Sequence, residues 1–341
     1  LGPSVRFCRA EPGTAPDRHR LVIDDQPITT PSSLDRIRGW LMDGHSVLVV
    51  ANTVATAQRL FTELAPTARQ ACPGDPDAAI LLHSRFRADD RARIEQRILA
   101  RHPERKAGEI HRRGGLVVAT QVLEVSLCLD FDRGASELAP IEALAQRAGR
   151  VNRRGRHPEG IVEFRIHPVE DPRPYDPGAL DAAMFALHQV PGPIISEETI
   201  ESWLKVAYET SWGLQWLAEA RHHRDDFERD FLTFTDPFVD RSEFARRLDE
   251  AFDSTDVLLA TDVEEYKRRA FRLDGHPLLA AGLLIPIRYT QLARLKADNA
   301  ARLDRDLRLW VIDVPYDDKN GLTLPAGSGG RLADVIVDEV L

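Results

Sequence analysis

Gly115-Leu-Val-Val-Ala-Thr-Gln-Val-Leu-Glu-Val-Ser-Leu-Cys-Leu-Asp130 is the stretch on which the fold turns. It opens with an apolar run of strand length, which predicts a strand buried on both faces. The run ends in small and acidic residues: Thr120, Glu124, Ser126, Asp130 and, just beyond, Asp132. Working outward, Ser46-Val-Leu-Val-Val50 and Ala79-Ile-Leu-Leu82 are strands of the same kind, and 161–166 alternates Val162, Phe164 and Ile166 with Glu163 and Arg165. Helical stripes fall between them: Val54, Ala57, Phe61 and Leu64, then Ile94 and Ile98, then Ile141, Leu144, Ala145 and Ala148. Strands separated by helices predict an α/β fold, a mostly parallel sheet with helices on both faces. Ligands of such sheets sit outside the carboxyl ends of the strands.

At 341 residues the chain has room for two ordinary domains. Residues 1–35 read as an N-terminal linker with one edge strand at Leu21-Val-Ile23, and 36–168 as the α/β domain. The proline-rich segment 169–177 reads as a second linker, and 178–341 as a smaller, mostly helical accessory domain. Helical stretches are expected at about 178–188, 195–222 and 240–253. Hydrophobic content of 43% and charged content of 29% are those of a globular chain. The sequence has no apolar run of bilayer length and no signal peptide, so no membrane partner is expected and a cytoplasmic location is the default. Cys8, Cys72 and Cys128 are odd in number and far apart, which predicts neither a disulfide framework nor a zinc cluster. The net charge of −9 is uneven: residues 1–160 hold 24 Lys+Arg against 20 Asp+Glu, the remainder 21 against 34. The basic half is the one suited to a polyanion.

Gln146-Arg-Ala-Gly-Arg-Val-Asn-Arg153 places Arg147, Arg150 and Arg153 at every third residue. On a helix that spacing keeps three guanidiniums near one face, where planar donor forks match phosphate oxygens. Arginines of this kind neutralise a transferring phosphoryl group; a solvated basic face is the bland alternative. Ser84 and Arg85, directly after a strand, read either as a backbone-phosphate contact or as a helix cap with a solvated arginine. Asn52 and Thr53 carry the same two readings. The basic run 101–113 is a solvated face or a nucleic-acid patch. Trp203, Trp212 and Trp216 read as core or as a base-stacking helix. His222-His223 with Asp225-Asp226 has no metal-site spacing and reads as solvated.

Taken together, these segments resemble the late motifs of superfamily 2 helicases, and most closely the CRISPR-associated helicase–nuclease of type I interference systems. Residues 119–132 follow that family's motif V, Gln146–153 its motif VI, 46–58 its motif IV region, and Leu81-Leu-His-Ser-Arg-Phe86 with Asp90-Arg91 the motif after it. Tyr316-Asp-Asp-Lys-Asn-Gly-Leu322 resembles its accessory domain more weakly. The resemblance implies a RecA-like second motor lobe of an ATP-dependent single-stranded DNA translocase. Arg150 and Arg153 would reach the γ-phosphate of ATP, with Gln146 and Arg147 supporting them. Thr120, Ser84 and Arg85, with Asn52 and Thr53, would touch the DNA backbone, and Glu124 and Ser126 would link nucleotide state to that contact. Cys128 stands where the family usually has Asp, at a position near ribose or a motif VI arginine.

The sequence has no Gly-x-x-x-x-Gly-Lys-Ser/Thr loop, no Asp-Glu-x-Asp/His box and no His-Asp pair of the family's nuclease. ATP with Mg2+ is therefore expected to be held mainly by a first lobe, and the chain alone to be inactive. The partners implied are single-stranded DNA, that first lobe with its nuclease domain, and the CRISPR surveillance complex. Two alternatives stay open: a non-hydrolysing nucleic-acid or partner binding module, and the second lobe of another superfamily 2 helicase.

Overall fold

A computed structural model describes residues 17–109, 112–124, 128–190, 192, 194–229, 254–272 and 275–324. The helix expected at about 240–253 lies outside the described residues, as do Ser126 and Cys8. Seven strands form the principal sheet: β1 (His19–Ile23), β2 (Ser46–Val50), β3 (Ala79–Leu82), β4 (Gly115–Ala119), β5 (Arg133–Glu137), β6 (Val162–His167) and β7 (Ile194–Ile195). Their order is β3-β4-β2-β5-β6-β1-β7, parallel throughout except for the short antiparallel β7. Helices α1 (Pro31–Met42), α2 (Val54–Ala71), α3 (Ala88–Arg101) and α4 (Ile141–Ala148) cover it.

Successive side chains of a strand point to opposite faces, and the core divides accordingly. Val47 and Val49 of β2, Ala79 and Leu81 of β3, and Leu116 and Val118 of β4 share one cluster with Leu34, Ile37 and Leu60 from α1 and α2. Leu48 and Val50, Ile80 and Leu82, and Val117 and Ala119 share the other with Ile94, Ile98 and Leu144 from α3 and α4. The apolar runs read from the sequence are thus strands buried on both faces.

Two boundaries differ from expectation. His19–Ile23 is not an edge strand of a linker: it pairs in parallel along its whole length with β6 and on its other side with β7. Residues 169–177 are packed, with Val169 and Tyr175 against the sheet's core. α5 (Pro177–Gln189) and α6 (Glu197–Tyr208) bury Leu180, Ala183, Leu187, Trp203 and Ala207 in that same core, so they extend the first unit. The expected long helix 195–222 is two, α6 and α7 (Ser211–Phe227). Thr210 caps the second by accepting from the Gly213 amide (3.2 Å). A side chain at Gly213 would lie 2.4 Å from the Tyr208 Cα, so only glycine fits this corner.

The second unit is smaller. β8 (Thr255–Leu259), β9 (Ile285–Ile287), β10 (Ala301–Asp304) and β11 (Leu309–Ile312) form a sheet in the order β10-β11-β8-β9. The helices Val263–Phe271 and Tyr289–Ala297 accompany it, and β12 (Tyr316–Asp317) and β13 (Gly321–Leu322) make a hairpin. Among the described residues no helix is long and apolar enough to cross a membrane.

Candidate functional site

The loops that follow β2, β3, β4 and β5 carry most of the candidate residues, and one side chain ties three of them together. Arg147 is fully buried. Its Nε donates to Glu124 Oε1 (2.8 Å), Nη1 to Asn52 Oδ1 (3.0 Å), Ser136 Oγ (3.0 Å) and the Glu137 carbonyl (3.2 Å), and Nη2 to Tyr175 Oη (3.0 Å). A guanidinium offers five donors, and here each nitrogen is engaged within the protein. Arg147 therefore sets the spacing of the loops from inside instead of presenting its fork to a ligand.

Asn52 is part of the same knot. It is buried, donates its side-chain amide to the Leu138 carbonyl (2.7 Å), and its backbone amide donates to Glu137 (2.6 Å). Gln121 Nε2 closes on its carbonyl (2.7 Å). Burial raises the Glu137 carboxyl above the ordinary carboxylate value, against the Asn52 amide that holds it down. Thr53 takes the capping alternative, its hydroxyl accepting from the Thr56 amide (3.1 Å). Thr120 is buried at the end of β4, and Cys128 is exposed.

The three arginines do not share a helix face. α4 ends at Ala148, and Gly149 begins a turn whose Val151 bridges to Phe131. Arg150 lies in that turn, buried, with Nη2 donating to the Glu124 carbonyl (2.5 Å). Arg147 and Arg150 thus hold the same acidic residue, one by its carboxylate and one by its backbone. Burial and the neighbouring Arg153 lower Arg150 below the usual guanidinium value. Arg153 faces outward, 3.8 Å from Glu104, a carboxylate shared with Arg154 (2.6 Å) and Arg156 (3.9 Å). Gln146 and Arg153, with Arg18, Gly149 and Arg154, line a concave pocket of about 330 Å³. Glu197, ion-paired with Arg18 (3.3 Å), also lines it, and of the residues expected to face ATP, Gln146 and Arg153 are the two on its wall.

In the basic run 101–113 Lys106 and Arg113 are exposed, as a solvated face would have them, but the other arginines of the run are not. Arg105 and Arg112 turn inward onto the acidic end of the opening stretch. Asp130 accepts from the Arg105 and Arg153 amides (2.9 and 3.0 Å), and Asp132 from the Ser46 amide and hydroxyl (2.9 and 2.8 Å). Burial pushes the Asp132 carboxyl up, but the two Ser46 bonds and Arg105 bring it below its ordinary value. Arg101 pairs with Asp75. Buried charges must be paired, and these pairs span chain separations that periodicity cannot reveal.

Sequence reasoning missed how firmly the second unit holds the loop after β3. His83 is buried, and its Nδ1 accepts from the Arg85 amide (3.1 Å) while Nε2 donates to the Asn320 carbonyl (3.0 Å). Burial lowers His83 to about 4, so the ring is neutral with its proton on Nε2. Arg87 donates to both oxygens of Asp262 (2.6 and 2.8 Å) and lies 4.2 Å from the Tyr316 ring centre. Tyr316 donates its hydroxyl to Asp90 and accepts from the Arg87 amide (3.2 Å). Gln58 reaches the Asn320 carbonyl (2.7 Å). Gly321 has φ +70°, and a Cβ there would meet the Arg85 carbonyl at 2.7 Å. The 316–322 segment, which resembled the accessory domain by position, is this clamp. His45, His157 and Glu159 also come together, their ligand atoms within 4.8 Å, but Arg133 already holds both Glu159 oxygens at 2.7 Å. Of the tryptophans, Trp203 is core, Trp212 packs against the core and Trp216 is exposed.

A mostly parallel sheet whose loops after β2, β4 and β5 are knotted by one buried arginine makes an α/β lobe, with a smaller unit docked on its rim. Residues 43–156 match the family described as CRISPR-associated nuclease/helicase Cas3, C-terminal. Over these residues the chain is similar to the C-terminal region of Cas3. A putative CRISPR-associated nuclease/helicase Cas3 of Myxococcus xanthus is 34% identical over 165 residues, covering 48% of this chain and 20% of that protein. The crystal structure of T. fusca Cas3-AMPPNP shares its fold at TM-score 0.66 and 22% identity, over 92% of this chain and 43% of that one. A chain of a CRISPR RNA-guided surveillance complex, pre-nicking, does so at TM-score 0.60 and 22% identity, over 92% and 45%. The chain spans about a fifth or less of the length of the curated relatives it matches first.

Proposed function

We propose that this chain is the second motor half of an ATP-dependent single-stranded DNA translocase acting in CRISPR type I interference. The observation that carries the reading is the Arg147 knot, which couples the loops after β2, β4 and β5 around Glu124. Arg153 and Arg150 supply cationic charge to the γ-phosphate of ATP, with Gln146 beside them, and ATP and Mg2+ are bound mainly by a first RecA-like lobe. Thr120, Ser84 and Arg85 contact the DNA backbone, while Asn52 and Thr53 shape the loop instead of touching the strand. Glu124 and Ser126 link the two sites. Residues 36–168, extended by β1 and by α5–α6, form the lobe, and the remainder is the accessory unit. The working partners are the first lobe, a nuclease domain and the surveillance complex, in the cytoplasm.

Mixing the chain with a separately expressed first lobe tests this. DNA-stimulated ATP turnover is expected in the mixture and not from the chain alone; turnover by the chain alone contradicts the reading. A second reading, a strand- or partner-binding module without turnover, draws support from the engagement of both Arg147 and Arg150 with Glu124 and from Cys128 at the usual Asp position. A mixture that binds DNA but never turns over ATP favours it.

A further inference from the structure

Arg85 differs from the other cations of the rim. Its backbone is held on both sides, the amide by His83 and the carbonyl by the Leu322 amide (2.9 Å). Its guanidinium, partly buried, has no hydrogen bond and no carboxylate among the described residues. Arg87, two residues on, has Asp262 and Asp90. The charged group that acts on Arg85 is a second cation, Arg288, and together with burial it lowers Arg85 to about 10. Arg288 leaves the end of β9, is exposed, and likewise has no acidic partner among the described residues. The Ala88 amide donates to the Leu284 carbonyl (3.2 Å), which holds 284–288 against 85–88 across the junction of the two units. The Ser84 hydroxyl has no protein partner among the described residues, and Tyr289, next to Arg288, is exposed.

Removing a cation from water without a counter-ion costs several kcal/mol, and a like charge beside it adds to that. Two mutually repelling guanidiniums beside a hydroxyl with no protein partner match a phosphodiester, and an exposed aromatic ring next in sequence to Arg288 suits the base attached to it. We propose that Arg288, Ser84 and Arg85 form one clamp for a backbone phosphate of a single-stranded nucleic acid, so that the second unit contributes directly to the strand's path. The inference rests on reading Ser84 and Arg85 as strand contacts and adds Arg288 to them.

The test is fluorescence anisotropy of a labelled oligothymidylate, about 20 nucleotides long, with the 341-residue chain over a salt series. Each phosphate contact to a single strand contributes about 0.7 to the slope of log K against log salt. Arg288→Gln and Arg85→Gln should each lower the slope by about 0.7, whereas Arg302→Gln on β10 makes the same charge change and leaves it unchanged. Arg288→Gln is exposed and should melt with the wild type, which keeps a lost slope from being read as misfolding. An unchanged slope in Arg288→Gln alongside a reduced one in Arg85→Gln overturns the inference and leaves the strand reading intact. Failure of the wild type to bind the oligonucleotide sinks both. Stabilisation by inorganic phosphate alone, lost in Arg288→Gln, with no oligonucleotide binding, would mark a small-anion site and overturn the proposal.

Discussion

The turn after α4 and the loop after β3 both present arginines within short motifs, and they use them in opposite ways. In the turn, Arg147 is buried with every nitrogen engaged on Glu124, Asn52, Tyr175 and the end of β5, so it builds the lobe from within, while Arg150 touches the same loop through the Glu124 carbonyl. In the loop, Arg87 is bound to the second unit by Asp262, while Arg85 feels the charge of Arg288 and has no acidic partner among the described residues. Regular spacing in the sequence identified the arginines of the turn and suggested equivalent roles. Burial separates them: an arginine with all its nitrogens satisfied is a strut, and one short of acceptors is a ligand-binding group.

The largest effect expected from breaking this contrast is at Arg147. Arg147→Ala leaves Glu124 and Asn52 without their buried partner and should destabilise the lobe by about 3–5 kcal/mol in urea unfolding. A loss of less than about 1 kcal/mol would make the arginine a ligand group after all.

Acid should act on the loop side through its histidine. His83 and His19 both fall from the ordinary 6.5 to about 4, because burial disfavours the charged ring. The unfolded chain then takes up protons first, so the stabilisation is complete above about pH 6.5 and is lost as pH falls towards 4. At about 1.4 kcal/mol per unit, each ring accounts for roughly 3 kcal/mol over that window. Denaturant unfolding at several pH values reads it directly; a flat profile from about pH 7 to 4 contradicts the neutral, buried state of His83 and His19.

The smallest effect is at the clamp. Tyr316→Phe removes one hydroxyl between Asp90 and the Arg87 amide and should cost about 1.5 kcal/mol. If it also weakens oligonucleotide binding, the hairpin positions the Arg85 loop; if binding is unchanged, it only fastens the two units.

Much of the lobe was legible because β2, β3 and β4 are apolar on both faces and α2 and α3 keep their stripes. β5, Arg-Gly-Ala-Ser-Glu, was not: its strand character depends on Arg133 finding Glu159 and on Gly134 lying where a Cβ would be 2.7 Å from Phe164. The candidate residues were legible by resemblance, but their orientation was not. Asn52 and Arg147 are 95 residues apart and meet only in the folded sheet. The basic run 101–113 misled for the same reason, since its acids, Asp75, Asp130 and Asp132, sit on other loops.

The most direct test of the helicase-lobe account is ATP turnover in the mixture with a first lobe, comparing wild type with Arg153→Ala. Arg153 lines the open pocket at partial exposure, so its removal should leave the melting temperature near that of the wild type. The account predicts DNA-stimulated turnover for the wild-type mixture and its near-complete loss with Arg153→Ala. Equal turnover by both mixtures would contradict it.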